Sequence, residues 1–167
     1  MELDETQKSG KPQLHSKRVG RELAMQFLFQ NDLNQIDPRQ VDLDAFCEEA
    51  GMTLELPANR VFRKGREYAT MLILGIADHQ AQIDDTLKQF SEKWDLDRMA
   101  IVDRNIMRVA VYEMLFVPEV PPIVSINEAV GIARDYSGGK SGNFINGVLN
   151  GIKDTLKRPA RNAVKEL

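Results

Sequence analysis

The chain has 167 residues, 43% of them hydrophobic and 28% charged, and a formal net charge of −3. That length suits one domain that buries its own core without disulfides or metals, and no apolar run of about 18 residues is present to span a membrane. The polar N-terminus has no apolar signal-peptide core, and the single cysteine, Cys47, cannot form an internal disulfide, which fits a reducing cytoplasm.

Residues 1–15 read as a disordered polar tail. Ser16 is placed to cap a helix to about Leu33, with a buried stripe at Val19, Leu23 and Phe27. Pro38 suits the first turn of a second helix, ending near Ala50 and Gly51. Asn59 is placed to cap a long helix through about Gln80, with Phe62, Gly65, Ala69, Leu72, Ile73 and Ile76 inward. A short helix from Ile83 to Phe90 follows. Trp94 lies in the next connector, and Asp95 or Asp97 is placed to cap a helix that runs through Phe116 to the stop at Pro118, Pro121 and Pro122.

The stretch from Asp103 to Leu156 holds three apolar-striped helix candidates with short breaks. Ser125 and Glu128 form an S-x-x-E capping box, the pattern in which each side chain satisfies a free N–H at a helix start. After a glycine loop the stripe resumes at Ile145, Val148, Leu149, Ile152 and Leu156. Gly147 and Gly151 would let another helix approach closely. There is no internal repeat, and the β-like run P-P-I-V-S-I is better explained as a helix start. The fold class is all-α, one helical bundle of about seven helices over residues 16–157, with a frayed basic tail at 158–167.

The charge is uneven. Lys17, Arg18 and Arg21 fall in the first two turns of the first helix, and residues 15–21 carry no acid. A helix dipole favours acids there. Either the three cations answer to an external polyanion, or two of them pair with acids elsewhere in the chain.

Familiar catalytic patterns fail on spacing. S-G-G-K-S-G lacks the earlier glycine of a phosphate loop, whose place is taken by Arg134, and follows a helix instead of a strand. His15, His79 and Cys47 have no metal-ligand spacing, and no serine sits in a nucleophile elbow. The adjacent Asp84 and Asp85 point in different directions on a helix. The reading is a non-enzyme with no cofactor. Phe144, beside the basic loop at Lys140, either stacks on an unpaired base or is a core residue at a helix start.

Three segments together resemble one family: K-R-x-G-R-E-L-A-M-Q-F-L-F from Lys17, D-R-N-I-M-R-V-A-V-Y-E-M-L from Asp103, and I-N-E-A-V-G-I-A-R-D-Y-S…F-I-N-G-V-L-N from Ile126. Their order and spacing, with Trp94 between the first two, resemble NusB, a bacterial transcription antitermination family. The resemblance implies an all-helical fold of two packed sub-bundles. It also implies binding of the single-stranded boxA element of nascent ribosomal transcripts, together with the small-subunit ribosomal protein NusE, in a termination-resistant RNA polymerase complex. By the same resemblance, RNA contacts fall on Lys17, Arg18, Arg21, Phe90, Lys140, Asn143, Phe144 and Asn146. NusE contacts fall on Phe29, Asp97 and Asp103. The basic run departs from the family's, being interrupted by Val19 and Gly20.

Other readings stay open: a protein-interaction bundle without RNA binding, the accessory RNA-binding domain of a ribosomal RNA methyltransferase, and a homodimer that buries the basic face.

Overall fold

The computed structural model describes residues 15–91, 98–157 and 159–160. Among them are six α-helices and one 3-10 turn, and no strand. The helices are α1 (Ser16–Asn34), α2 (Leu43–Thr53), α3 (Arg60–Phe90), α4 (Ile101–Phe116), α5 (Pro122–Tyr136) and α6 (Gly139–Asp154). The expected N-terminal tail, apart from His15, lies outside the described residues, as do Trp94, Asp95, Asp97 and most of the expected C-terminal tail.

The helices form two groups. α1 packs along α3 with α2 against both, and α4, α5 and α6 pack on one another. α4 joins the groups, touching both α1 and α3. It is buried on nearly every side, from Asn105 to Met114. A helix covered all round must either be apolar all round or satisfy its polar groups internally, and α4 does the second at Asn105, Arg108 and Glu113.

The expected stripes are buried: Val19, Leu23 and Phe27 on α1, the Phe62 to Ile76 row on α3, and Ile145, Val148, Leu149 and Ile152 on α6. Several boundaries differ from expectation. His15, not Ser16, occupies the N-cap of α1, and no side chain caps it. The helix expected from Pro38 is split: Pro38–Gln40 make only a 3-10 turn, and α2 starts afresh where the Asp42 carboxylate accepts from the Ala45 N–H. Asn59 does cap α3, its side-chain oxygen accepting from the Phe62 N–H at 3.1 Å.

The expected short helix at Ile83 is continuous with α3 across a kink at His79 (φ −126°, ψ 17°). There the His79 ring lies 4.0 Å from that of Phe116, and its Nδ1 lies 2.9 Å from the Gly75 carbonyl. The N-cap of α4 is Ala100, with no side-chain cap, so neither Asp95 nor Asp97 fills that place.

The capping box is also overturned. α5 begins earlier, at Pro122, whose fixed φ and missing N–H suit a first helical position. Ser125 is therefore inside the helix, its Oγ buried without a hydrogen-bond partner among the described residues. The Ile123 N–H of that start is satisfied by the Ala160 carbonyl at 2.9 Å, so the chain returns to α5 after α6. No helix among the described residues is long and apolar enough to cross a membrane.

Candidate nucleic-acid interface

Lys17, Arg18 and Arg21 are carried by the first two turns of α1; the first turn contains no acid, and Glu22 follows Arg21 in the second. One side of the helix turns to α5 and α4, and the residues on that side lose their freedom. Arg18 donates from Nε to Glu22 at 3.1 Å, from Nη1 to Glu128 at 3.0 Å and from Nη2 to Asp135 at 3.1 Å. Gly131 makes room for it, since a Cβ there would sit 2.9 Å from Nη1. Burial pushes the Glu22 carboxyl up, by more than the hydrogen bond and charge of Arg18 pull it down.

Arg21 is 4% exposed. Its Nε donates to both Glu113 oxygens, at 2.9 and 3.0 Å, and the Tyr68 hydroxyl donates to the same carboxylate. Burial alone would lower the Arg21 pKa; the charge and hydrogen bond of Glu113 outweigh it and raise it. Two of the three cations therefore pair with acids of the same chain, one of the two alternatives the sequence left open. Lys17 remains exposed without a carboxylate among the described residues, its Nζ 5.7 Å from the centre of the Tyr68 ring.

A second part of the site lies where α4 meets the start of α6. The glycine loop is shorter than expected. Gly138, at φ +96°, makes the turn, and Lys140, Asn143, Phe144 and Asn146 are all on α6. Lys140, Phe144 and Asp103 line one cleft of about 210 Å³ with Arg98 and Met99. The structure thus joins residues assigned by resemblance to two different partners. Asp103 is 7% exposed, and its carboxylate accepts from the Ser137 and Ser141 hydroxyls at 2.6 and 2.9 Å. It thereby fixes the α5–α6 turn.

Phe144 is half-buried on the core, which favours its core role, with one side on the cleft. Phe90 is also half-buried; its ring covers Gly151, where a Cβ would lie 3.1 Å from it. Gly147 meets nothing within 4 Å, so the close approach expected of both glycines belongs to Gly151 alone. Asn146 accepts from the Asn150 amide at 3.0 Å, Asn143 is exposed, and Phe29 is half-buried. Asp97 lies outside the described residues.

Sequence reasoning missed the groups that tie these parts together. Arg108 holds Asp84 through two bonds of 2.8 and 3.0 Å and Asp32 through one of 2.8 Å. Asp32 also accepts from Arg104 and Asn105. The signal was two arginines and an asparagine in a helix otherwise striped for burial.

Burial works to raise the Asp32 carboxyl, and its donors Asn105, Arg108 and Arg104 bring it below the ordinary carboxylate range. The unfolded chain therefore holds the proton more tightly. This stabilisation is complete above the ordinary carboxylate pKa of about 4 and is lost as pH falls through the lower folded value. Asp32→Asn is expected to flatten the fall of the urea midpoint with pH below about 4. A slope equal to the parent's would contradict the assignment.

Among the described residues no group of three or more His, Cys, Asp or Glu side chains is placed to hold a metal. Burial pushes the Cys47 thiol up to about 11, far from the range of a reactive thiolate.

These features define a class: a small all-helical protein of two packed helix groups, its buried charges joining helices to one another and its free cations at helix starts on the surface. Comparison with known proteins makes the class particular. A profile of the NusB family matches residues 18–154, and the chain belongs to that family. It is 40% identical over 141 residues to the transcription antitermination protein NusB of Bacillus cereus (strain B4264), spanning 84% of this chain and 98% of that one. It also matches the crystal structure of T. maritima NusB with a TM-score of 0.66 and 33% identity, over 89% of this chain and 93% of that chain. One chain in a crystal structure of the antitermination factors NusB and NusE in complex with dsRNA matches with a TM-score of 0.69 over 84% of this chain and 98% of that one. At 24% identity that last likeness is one of fold.

Proposed function

We propose that this chain is a non-catalytic transcription antitermination factor that binds single-stranded boxA-type RNA of nascent transcripts together with NusE, as part of an RNA polymerase antitermination complex. The observation that carries this reading is 40% identity, across 84% of the chain, to a transcription antitermination protein. Exposed Lys17, at a helix start without acids, supports the RNA half. Arg18 and Arg21 act in this reading by fixing the position of α1, with Arg18 able to exchange a carboxylate for a phosphate at its part-exposed edge. Lys140, Asn143 and Phe144 form the second contact region, with Phe90 and Asn146 at its borders. Phe29, Asp103 and Asp97 are assigned to the protein partner by resemblance, Asp103 acting through the α5–α6 turn that it fixes.

Backbone phosphates position such a strand and base contacts specify it. The test is fluorescence anisotropy with a boxA RNA and a scrambled control, across salt, with and without NusE. Preference for boxA that tightens with NusE is expected. Lys17→Gln should flatten the salt dependence by about 0.7 in log–log slope, the value for one single-strand phosphate contact. Equal weak binding to both RNAs, indifferent to NusE, would reject the reading. It would leave a protein-interaction bundle, a role the internal pairing of Arg18 and Arg21 would suit.

A further inference from the structure

Two helices begin side by side with cations, α1 at Lys17 and α3 at Arg60, and neither has an acid in its first turn. Their backbones nearly touch: a Cβ on Gly65 would lie 2.6 Å from the Val19 side chain and 2.9 Å from the Ser16 carbonyl. The start of α1 is thus pressed onto the first turns of α3. Arg60, Lys64 and Tyr68 stand four residues apart on one row of α3, and Lys17 lies over the Tyr68 ring. Between the two helix starts runs a cleft of about 610 Å³, with Val19, Leu56 and Phe62 among its apolar lining and Arg60 and Lys64 on it as cations.

Nothing inside the described chain accounts for these charges. Arg60 and Lys64 are exposed and have no carboxylate within ion-pair distance among the described residues, whereas Arg66, just beyond, is turned to Asp44 and Glu48. Like charges four apart destabilise a helix, and cations at its N-terminus oppose the dipole. An outside polyanion reverses both effects. An apolar floor between cations suits a strand that offers phosphates and unpaired bases in turn.

We propose that single-stranded RNA held at the start of α1 continues across this cleft, its phosphates on Lys17, Lys64 and Arg60 and an unpaired base against the apolar floor. This rests on the RNA-binding reading above and adds a second stretch to it, one that takes the flank of the recognised element. The contacts are to backbone and base face, so they carry no sequence preference.

The test compares the parent with Arg60→Gln/Lys64→Gln, using a boxA core RNA and the same core with an unstructured flank at either end. The parent is expected to bind one flanked RNA more tightly than the core. The double variant should lose that gain, bind the core as the parent does, and show a salt slope flatter by about 1.4 on the flanked RNA, 0.7 for each contact. Arg63→Gln, on another row of the same helix, should match the parent. Both mutated side chains are exposed, so the melting curve should be unchanged. A flanked RNA with a scrambled core separates the two readings. If the parent ignores boxA yet the slopes of parent and variant still differ on the scrambled strand, the cleft stands and the antitermination reading falls. Identical slopes on every flanked RNA would overturn the cleft, and so would an equal gain when the flank is annealed into a duplex.

Discussion

Glu113→Gln is expected to cost about 3–5 kcal/mol of stability, the usual loss when one partner of a buried ion pair is removed. Glu113 is fully buried on α4, the helix common to both groups. Its carboxylate takes two bonds from Arg21 and one from Tyr68, so it joins α4 to α1 and to α3 at a single point. Glutamine keeps the shape and one acceptor but leaves the Arg21 guanidinium buried without its counter-charge; the nearest other carboxylate oxygen, on Glu128, is 3.6 Å from Nη1. Arg21 Nη2 is already buried without a partner among the described residues. The measurement is urea unfolding, where the midpoint should fall with little change in the denaturant slope. Arg21→Met/Glu113→Leu should recover most of the loss, because well-packed apolar side chains often replace a buried pair without net cost. A single variant within about 0.5 kcal/mol of the parent, the scale of surface changes, would show that the pair contributes little. The double variant also reports on function. Unchanged RNA affinity would confine Arg21 to the interior, and a lost affinity would return it to the RNA surface.

Much of the architecture follows from periodic burial. The stripes on α1, α3 and α6 are regular, and prolines mark where helices begin or cannot continue. The errors at boundaries share one cause, that several residues near each break could start a helix. Ser125 and Glu128 have the spacing of a capping box, but the N-cap of α5 is Pro121, four residues earlier, and Glu128 is occupied by Arg18 across 110 positions of sequence. Asp42 took the role given to Pro38. The kink at His79 lies one turn after Gly75 and just before the break expected between Gln80 and Ile83, but the helix runs on through it. It sits where the histidine ring meets Phe116 of α4, a contact only the tertiary fold creates.

The site was less legible for the same reason. Residue type and spacing identified Lys17, Arg18 and Arg21 as a group, but not which way each points. Successive helix residues differ by about 100°, so neighbours in this short run end in different surroundings. Lys17 faces outward, Arg18 reaches the acids of α5, and Arg21 enters the core. The cations of α3 carry no such signal in the sequence, since Arg60, Arg63, Lys64 and Arg66 have the spacing of an ordinary solvated face of a long helix. Only the packing of α1 on α3 shows that Arg60 and Lys64 share a cleft with the start of α1.

Gly75→Ala and Gly147→Ala should change stability in opposite directions. In an exposed helix interior either change should gain up to about 1 kcal/mol, since glycine has the greater backbone entropy to lose. Gly147 meets that condition: nothing lies within 4 Å of its Cβ position, so a gain of about 0.5–1 kcal/mol is expected. Gly75 does not. A Cβ there would lie 2.0 Å from the Tyr112 hydroxyl oxygen and 2.2 Å from Cζ, inside any tolerable contact. The Tyr112 ring has little room to withdraw, being 8% exposed and packed near Phe116 and His79, at 5.4 and 6.2 Å between ring centres. α3 and α4 would have to move apart at the joint between the two helix groups. Overpacking of this kind costs about 1–3 kcal/mol and sometimes more, so a net loss of about 2 kcal/mol or greater is expected from Gly75→Ala. Tyr112→Phe should rescue little, because Cζ remains in place, whereas Tyr112→Leu should make the two changes strongly non-additive. Thermal melts of the two glycine variants decide the matter. If Gly75→Ala melts above the parent, α3 and α4 do not meet as described, and the placement of α4 between the two groups fails with it.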